Sequence, residues 1–126
     1  MRSHEDIRTM VVDDSPVALR AMCSAVARQR SLKFVGSATN GKAALELARS
    51  VHPDLVLLDL EMPLMDGIEA TTRFRLECPA TRVVILTVHN TPEMRKLCLE
   101  RGASAFIPKE AMNDELPKVI KDLFAA

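Results

Sequence analysis

Leu55-Val56-Leu57-Leu58-Asp59 is the stretch on which the fold turns. Four apolar residues in a row leave no polar face, so a strand made from them must be covered on both sides, as in a parallel sheet between two helix layers. Four companion runs rich in Val, Ile and Leu lie around it: Ile7–Val12, Leu32–Ser37, Val83–Val88 and Ala105–Ile107. Val83–Leu86 is again continuously apolar. Helical periods separate the runs. Ser15 is a good N-cap, Pro16 suits the first helical position, and Leu19, Met22, Cys23, Val26 and Ala27 then form one stripe. Ala44, Leu47, Ala48 and Val51 repeat that stripe. A third, less amphipathic helix is expected from about Asp66 to Glu77, and a fourth from Thr91-Pro92. The last carries Leu116, Val119, Ile120, Leu123 and Phe124 on one face. Pro117 fits only near a helix start, so the regular part of that helix is expected from about Leu116.

The alternation implies an α/β architecture: one doubly wound domain over residues 1–126, with its core at about 7–124, a parallel sheet and right-handed crossovers. A chain of 126 residues, 48% of them apolar, can bury a core without staples. There is no run of roughly 18 apolar residues, so no membrane span is expected, and Met1 to Arg8 lack the apolar stretch of a signal peptide. Seventeen basic residues balance seventeen acidic ones, so net charge gives no support for direct nucleic-acid binding or for an anionic membrane surface. Cys23, Cys78 and Cys98 are odd in number and lack C-x-x-C spacing. They read as free thiols, buried at Cys23 and Cys98, in a reducing cytoplasm. His4, His52 and His89 are scattered along the chain, and no zinc site is assigned to them.

In sheets of this kind ligands bind beyond the carboxyl ends of the strands. Asp13 and Asp14 follow the first strand, Asp59 the third and Lys109 the fifth, while Thr87 lies near the end of the fourth. Any one of them alone is an ordinary turn, cap or surface residue. Five of them at one edge of one sheet suggest a site. Clustered carboxylates are costly to keep ionised, and a hard divalent cation such as Mg²⁺ removes that cost. A carboxylate can serve as a nucleophile and form an aspartyl-phosphate. Mg²⁺ and Lys109 would place positive charge on the phosphoryl oxygens, and the Thr87 hydroxyl would donate to one of them.

The motifs at these positions resemble those of the response-regulator receiver domains of two-component signalling, from Ile7 to Phe124. They are Val11-Val12-Asp13-Asp14-Ser15, Ala38-Thr39-Asn40-Gly41-Lys42-Ala43-Ala44-Leu45, Asp59-Leu60-Glu61-Met62-Pro63-Leu64-Met65-Asp66-Gly67, Ile85-Leu86-Thr87, and Gly102-Ala103-Ser104-Ala105-Phe106-Ile107-Pro108-Lys109. The resemblance implies a flavodoxin-like (βα)5 fold with strand order 2-1-3-4-5. It implies that Asp59 accepts a phosphoryl group from a sensor histidine kinase or a phosphotransfer protein. Asp14, Asp59 and the backbone carbonyl of Glu61 would hold Mg²⁺, with Asp13 acting largely through water, and Lys109 would pair with the phosphate. Thr87 would move toward it, Phe106 would rotate into the vacated space, and the face of helix four, strand five and helix five would change its downstream protein partner. Such a chain would catalyse only its own phosphorylation and dephosphorylation.

The chain departs from the family pattern in three places. Proline precedes Lys109 and Glu110 follows it, so the usual cis bond is not assumed. Val88 stands where a small residue is common, and Glu61 adds a negative side chain at the mouth; both are candidates for tuning access to Asp59. Two other readings compete. A haloacid-dehalogenase-type phosphatase also uses an aspartyl nucleophile and Mg²⁺, but it expects its paired acids after the first strand, where this chain has adjacent Asp13-Asp14, and normally a longer chain with a cap. A degenerate receiver would only dock. The chain is expected to be a stand-alone, chemotaxis-like regulator, with the receiver part of a longer protein as the alternative.

Overall fold

The computed structural model describes residues 7–62 and 65–125; Met1–Asp6, with His4, and Pro63 and Leu64 of the acceptor stretch lie outside the described residues. Five strands form one parallel sheet in the order β2-β1-β3-β4-β5. They are β1 (Ile7–Val12), β2 (Leu32–Ala38), β3 (Leu55–Asp59), β4 (Arg82–Thr87) and β5 (Ala105–Pro108). The helices between and after them are α1 (Pro16–Ala27), α2 (Gly41–Val51), α3 (Gly67–Glu77), α4 (Pro92–Glu100) and α5 (Met112–Phe124). This is the flavodoxin-like order expected from the sequence.

The two-residue period of the strands divides the core. Val56 and Leu58 of β3, with Val83 and Ile85 of β4, pack toward α2, α3 and α4, where they meet Ala44, Ala70, Phe74 and Cys98. Leu55 and Leu57, with Val84 and Leu86, face α1 and α5 and meet Met22, Val26, Leu116 and Ile120. Every residue of β3 is buried, so its apolar run needs both helix layers.

Side-chain caps open the first four helices at the edge where the strands end. Ser15, Asn40, Asp66 and Thr91 accept from the backbone N–H of Ala18, Ala43, Glu69 and Met94, each satisfying a donor that the helix leaves unpaired. Pro16 and Pro92 occupy the first turns, as expected.

Three local readings need correction. The α1 stripe takes Ala25 rather than Ala27, which is exposed. The weak pattern of α3 hides a buried stripe of Gly67, Ala70, Thr71 and Phe74; Thr71 tolerates burial because its hydroxyl donates to the Gly67 carbonyl at 2.6 Å. Helix α5 starts at Met112, not about Leu116, and carries Pro117 inside it after a single 3-10 turn over Lys109–Ala111. Proline forfeits the bond to the Asn113 carbonyl, but Asn113 is exposed and water can take that acceptor. Burial of Leu116 and Ile120 holds the helix against α1 and the sheet.

Candidate functional site

The carboxyl edge of the sheet gathers the acids. One carboxylate oxygen from each of Asp13, Asp14 and Asp59 lies within 4.8 Å of the others. Their settings differ: Asp13 and Asp59 are buried while Asp14 is exposed. Asp13 directly follows β1 and is fully partnered; its Oδ1 accepts from the Ser15 backbone N–H at 2.9 Å and its Oδ2 from Lys109 Nζ at 2.7 Å. Lys109 reaches both buried acids, with Nζ 3.2 Å from Asp59 Oδ1.

Burial pushes the Asp59 carboxyl up from 3.8 to about 6, and the charge on Asp13 adds to the rise against the opposing pull of Lys109. Burial on its own would lower the Lys109 ammonium, yet the hydrogen bond to Asp13 and the charges of Asp59 and Asp13 carry it above its usual value. Three carboxylates and one ammonium leave an excess of negative charge in a partly dry pocket. The donor set is all oxygen, which fits a hard cation of the Mg²⁺ kind.

The acceptor loop is held close. The Gly67 N–H donates to the Leu60 carbonyl at 2.8 Å, and a Cβ at Gly67 would lie 2.5 Å from the Asp59 carbonyl oxygen and 2.6 Å from the Leu60 Cα. No other residue permits that approach of α3 to the end of β3.

Register pairs Asp59 with Leu86 and Thr87 with Pro108, which brings Thr87 to the same edge. Its side chain is buried, and its Oγ1 accepts from the His89 backbone N–H at 3.0 Å. Phe106 is already inside, 2% exposed, so the inward position expected after a switch is occupied here. Arg95 of α4 lies over the ring, its guanidinium 5.9 Å from the centroid, and donates to the Phe106 carbonyl at 3.2 Å. Val88 is 64% exposed; it stands at the surface rather than packing beside α4. There is no cis peptide bond among the described residues, Pro108 and Lys109 included.

Glu61 projects outward, and its carboxylate meets the His89 ring at Nε2. Sequence reading missed His89. Its one signal is position, two residues after Thr87 as Glu61 is two after Asp59. The three cysteines are free, with Cys98 buried and Cys23 and Cys78 half-buried, and burial raises all three thiols above their usual range. No helix among the described residues is long and apolar enough to cross a membrane.

Comparison with known proteins meets this geometry. Residues 9–121 match the family model of the response regulator receiver domain. The chain is 35% identical over 119 residues to a protein-glutamate methylesterase/protein-glutamine glutaminase of Methanosarcina mazei, covering 93% of this chain and 33% of that protein. It is 32% identical over 120 residues to the nitrate/nitrite response regulator NarL of Escherichia coli K12, covering 95% and 56%. It thus spans a third to just over half of these relatives. The solved signal receiver domain of NarL from Mycobacterium tuberculosis superposes with a TM-score of 0.87 at 34% identity, covering 94% of this chain and 96% of that one. Receiver domains of this family bind Mg²⁺ and exchange contacts with histidine kinases or phosphotransfer proteins and with effectors. With five strands in receiver order, an acidic cluster at their carboxyl edge and a family match across nearly the whole length, the chain belongs to the response-regulator receiver domains of two-component signalling and is a phosphorylation-activated switch.

Proposed function

We propose that residues 1–126 act as one receiver domain whose phosphoacceptor is Asp59, charged by a sensor histidine kinase or a phosphotransfer protein in the cytoplasm. The observation that carries this reading is the contact of Lys109 Nζ with Asp59 Oδ1 at 3.2 Å, inside a cluster of three carboxylates. In this reading a buried nucleophile stands beside the half-buried ammonium that its product needs.

An ionised Asp59 oxygen attacks the donor phosphorus, the bond from phosphorus to the donor nitrogen or oxygen breaks, and the leaving group takes its proton from solvent. Lys109 meets the charge on the phosphoryl oxygens. Thr87 exchanges its role as acceptor for the His89 N–H for that of hydroxyl donor to one phosphoryl oxygen. Mg²⁺, held by Asp14, Asp59 and the Glu61 backbone carbonyl with Asp13 acting largely through water, would supply neutralisation of the acids and of the transferring group. The chain's own chemistry is limited to gaining and losing this phosphoryl group. Its output runs through a downstream protein on the α4–β5–α5 face and not through direct contact with nucleic acid. Cys98 is the one fully buried residue of α4, with Met94 partly buried against the core, so few buried side chains hold that helix.

Incubation with acetyl phosphate and Mg²⁺ followed by intact-mass measurement tests the reading. Wild type should gain the mass of one phosphoryl group and Asp59→Asn should gain none. An equal gain in the variant would sink the assignment of Asp59.

A further inference from the structure

A cavity of about 660 Å³ opens beside the acidic cluster, between Leu60, Glu61 and Met62, which follow β3, and Met94 in the first turn of α4. Leu60, Met62, Ile68 and Met94 make its wall apolar. Asp14, Glu61 and Asp66 bring carboxylates to its lining, and among the described lining residues His89 is the one basic side chain. That volume lies in the range of pockets that take organic groups, about 300–1,000 Å³, and methionine walls adapt to varied shapes.

We propose that this cavity is a docking pocket for a partner polypeptide. It takes one bulky apolar side chain with an Arg or Lys beside it, and the His89–Glu61 pair closes it to that cation. The occupant follows from charge. Among the charged side chains of the described lining all but His89 are acids, and Glu61 and Asp66 keep their charge where Asp14 holds the cation, so an anionic segment would be repelled and a basic one drawn in.

His89 is held at two points. Its ring pairs with Glu61, and its backbone N–H is taken by Thr87 Oγ1 at 3.0 Å. An entering guanidinium or ammonium takes the Glu61 carboxylate that His89 gives up, and the displaced ring, exposed at the surface, is left to water. Loss of the Thr87 acceptor frees the His89 backbone and makes the exchange easier. The link to phosphorylation rests on the role proposed for Thr87: a Thr87 turned toward a phosphoryl group would open the pocket, and an occupied pocket would favour that turn by the same factor.

The test uses the full chain labelled with ¹³C in the methionine methyl groups. Three probes are titrated: N-acetyl-Phe-Arg-amide, N-acetyl-Phe-Glu-amide and N-acetyl-Gly-Arg-amide. The first should shift the Met62 and Met94 methyl signals saturably, while the second and third bind at least several-fold more weakly. His89→Ala, an exposed truncation, should tighten the Phe-Arg probe by about two- to five-fold, the factor an exposed ion pair is worth. Thr87→Ala should tighten it in the same direction with no phosphoryl donor present, so this outcome is independent of whether Asp59 is the acceptor. Equal binding of the Phe-Glu probe, or saturation that leaves Met62 and Met94 unmoved, overturns the pocket. Unchanged affinity in both His89→Ala and Thr87→Ala overturns the closure.

Discussion

Neutralising Asp59 should stabilise the metal-free protein. Asp59 is 5% exposed, and burial with the Asp13 charge raises its carboxyl from 3.8 to about 6 even after the pull of Lys109. An acid whose folded pKa is raised costs the folded state whenever it must be ionised. The cost is absent below about pH 4, where folded and unfolded chains are both protonated. It grows between pH 3.8 and about 6 as the unfolded chain releases its proton first, and it is constant above that window. With about 1.36 kcal/mol for each tenfold change in acidity, the rise from 3.8 to about 6 sets a ceiling of about 3 kcal/mol. Asp59→Asn keeps an oxygen that can accept from Lys109 but loses the charge attraction, so a gain of roughly 1–3 kcal/mol is expected at about pH 7.5. Urea unfolding in EDTA at about pH 4 and about pH 7.5 measures it: the two proteins should nearly coincide at the lower pH and separate at the higher. Mg²⁺ should then stabilise wild type by RT ln(1 + [L]/Kd) and the variant less, closing the gap. A variant less stable than wild type in EDTA at the higher pH, or a gap that does not change with pH, would refute the picture of a strained acidic pocket.

Val88 is 64% exposed, so Val88→Ala should move the urea midpoint by no more than about 0.5 kcal/mol while speeding both acetyl-phosphate labelling and phosphate loss; unchanged rates would end its role in access. Gly67→Ala drives a Cβ to 2.5 Å from the Asp59 carbonyl oxygen, which should cost about 1–3 kcal/mol and slow phosphorylation together, and a variant as stable as wild type would show that the loop has slack. Thr87→Ala should still permit phosphorylation but blunt the phosphorylation-dependent binding of the downstream protein on the α4–β5–α5 face, with an effect non-additive with Phe106→Ala; strict additivity in a double-mutant cycle on that binding would leave Phe106 as core.

Local chemistry makes much of this fold legible in the sequence. Leu55–Leu58 and Val83–Leu86 have no polar face and must lie in a covered sheet, and Ser15-Pro16 and Thr91-Pro92 start helices by their own chemistry. The acids after β1 and β3, and Lys109 after β5, follow from the rule that such sheets bind at their carboxyl edge. Thr71 and Pro117 mislead because local rules weigh a polar residue or a proline by type. Their true cost depends on the Gly67 carbonyl, on an Asn113 carbonyl open to water, and on the packing of Leu116 and Ile120.

Tertiary structure alone decided how the side chains of distant segments meet. Lys109 is shared between Asp13 and Asp59, His89 pairs with Glu61 and is held from behind by Thr87, and Arg95 lies over a Phe106 ring that is already inside. Lys109–Asp13 joins residues 96 apart in the chain and His89–Glu61 residues 28 apart. Sequence period and spacing carry each residue to an edge, because strand alternation and helix pitch are local geometry. The last few ångströms between edges come from strand register and from loops closing on one another, and these are set by the packing of the whole molecule.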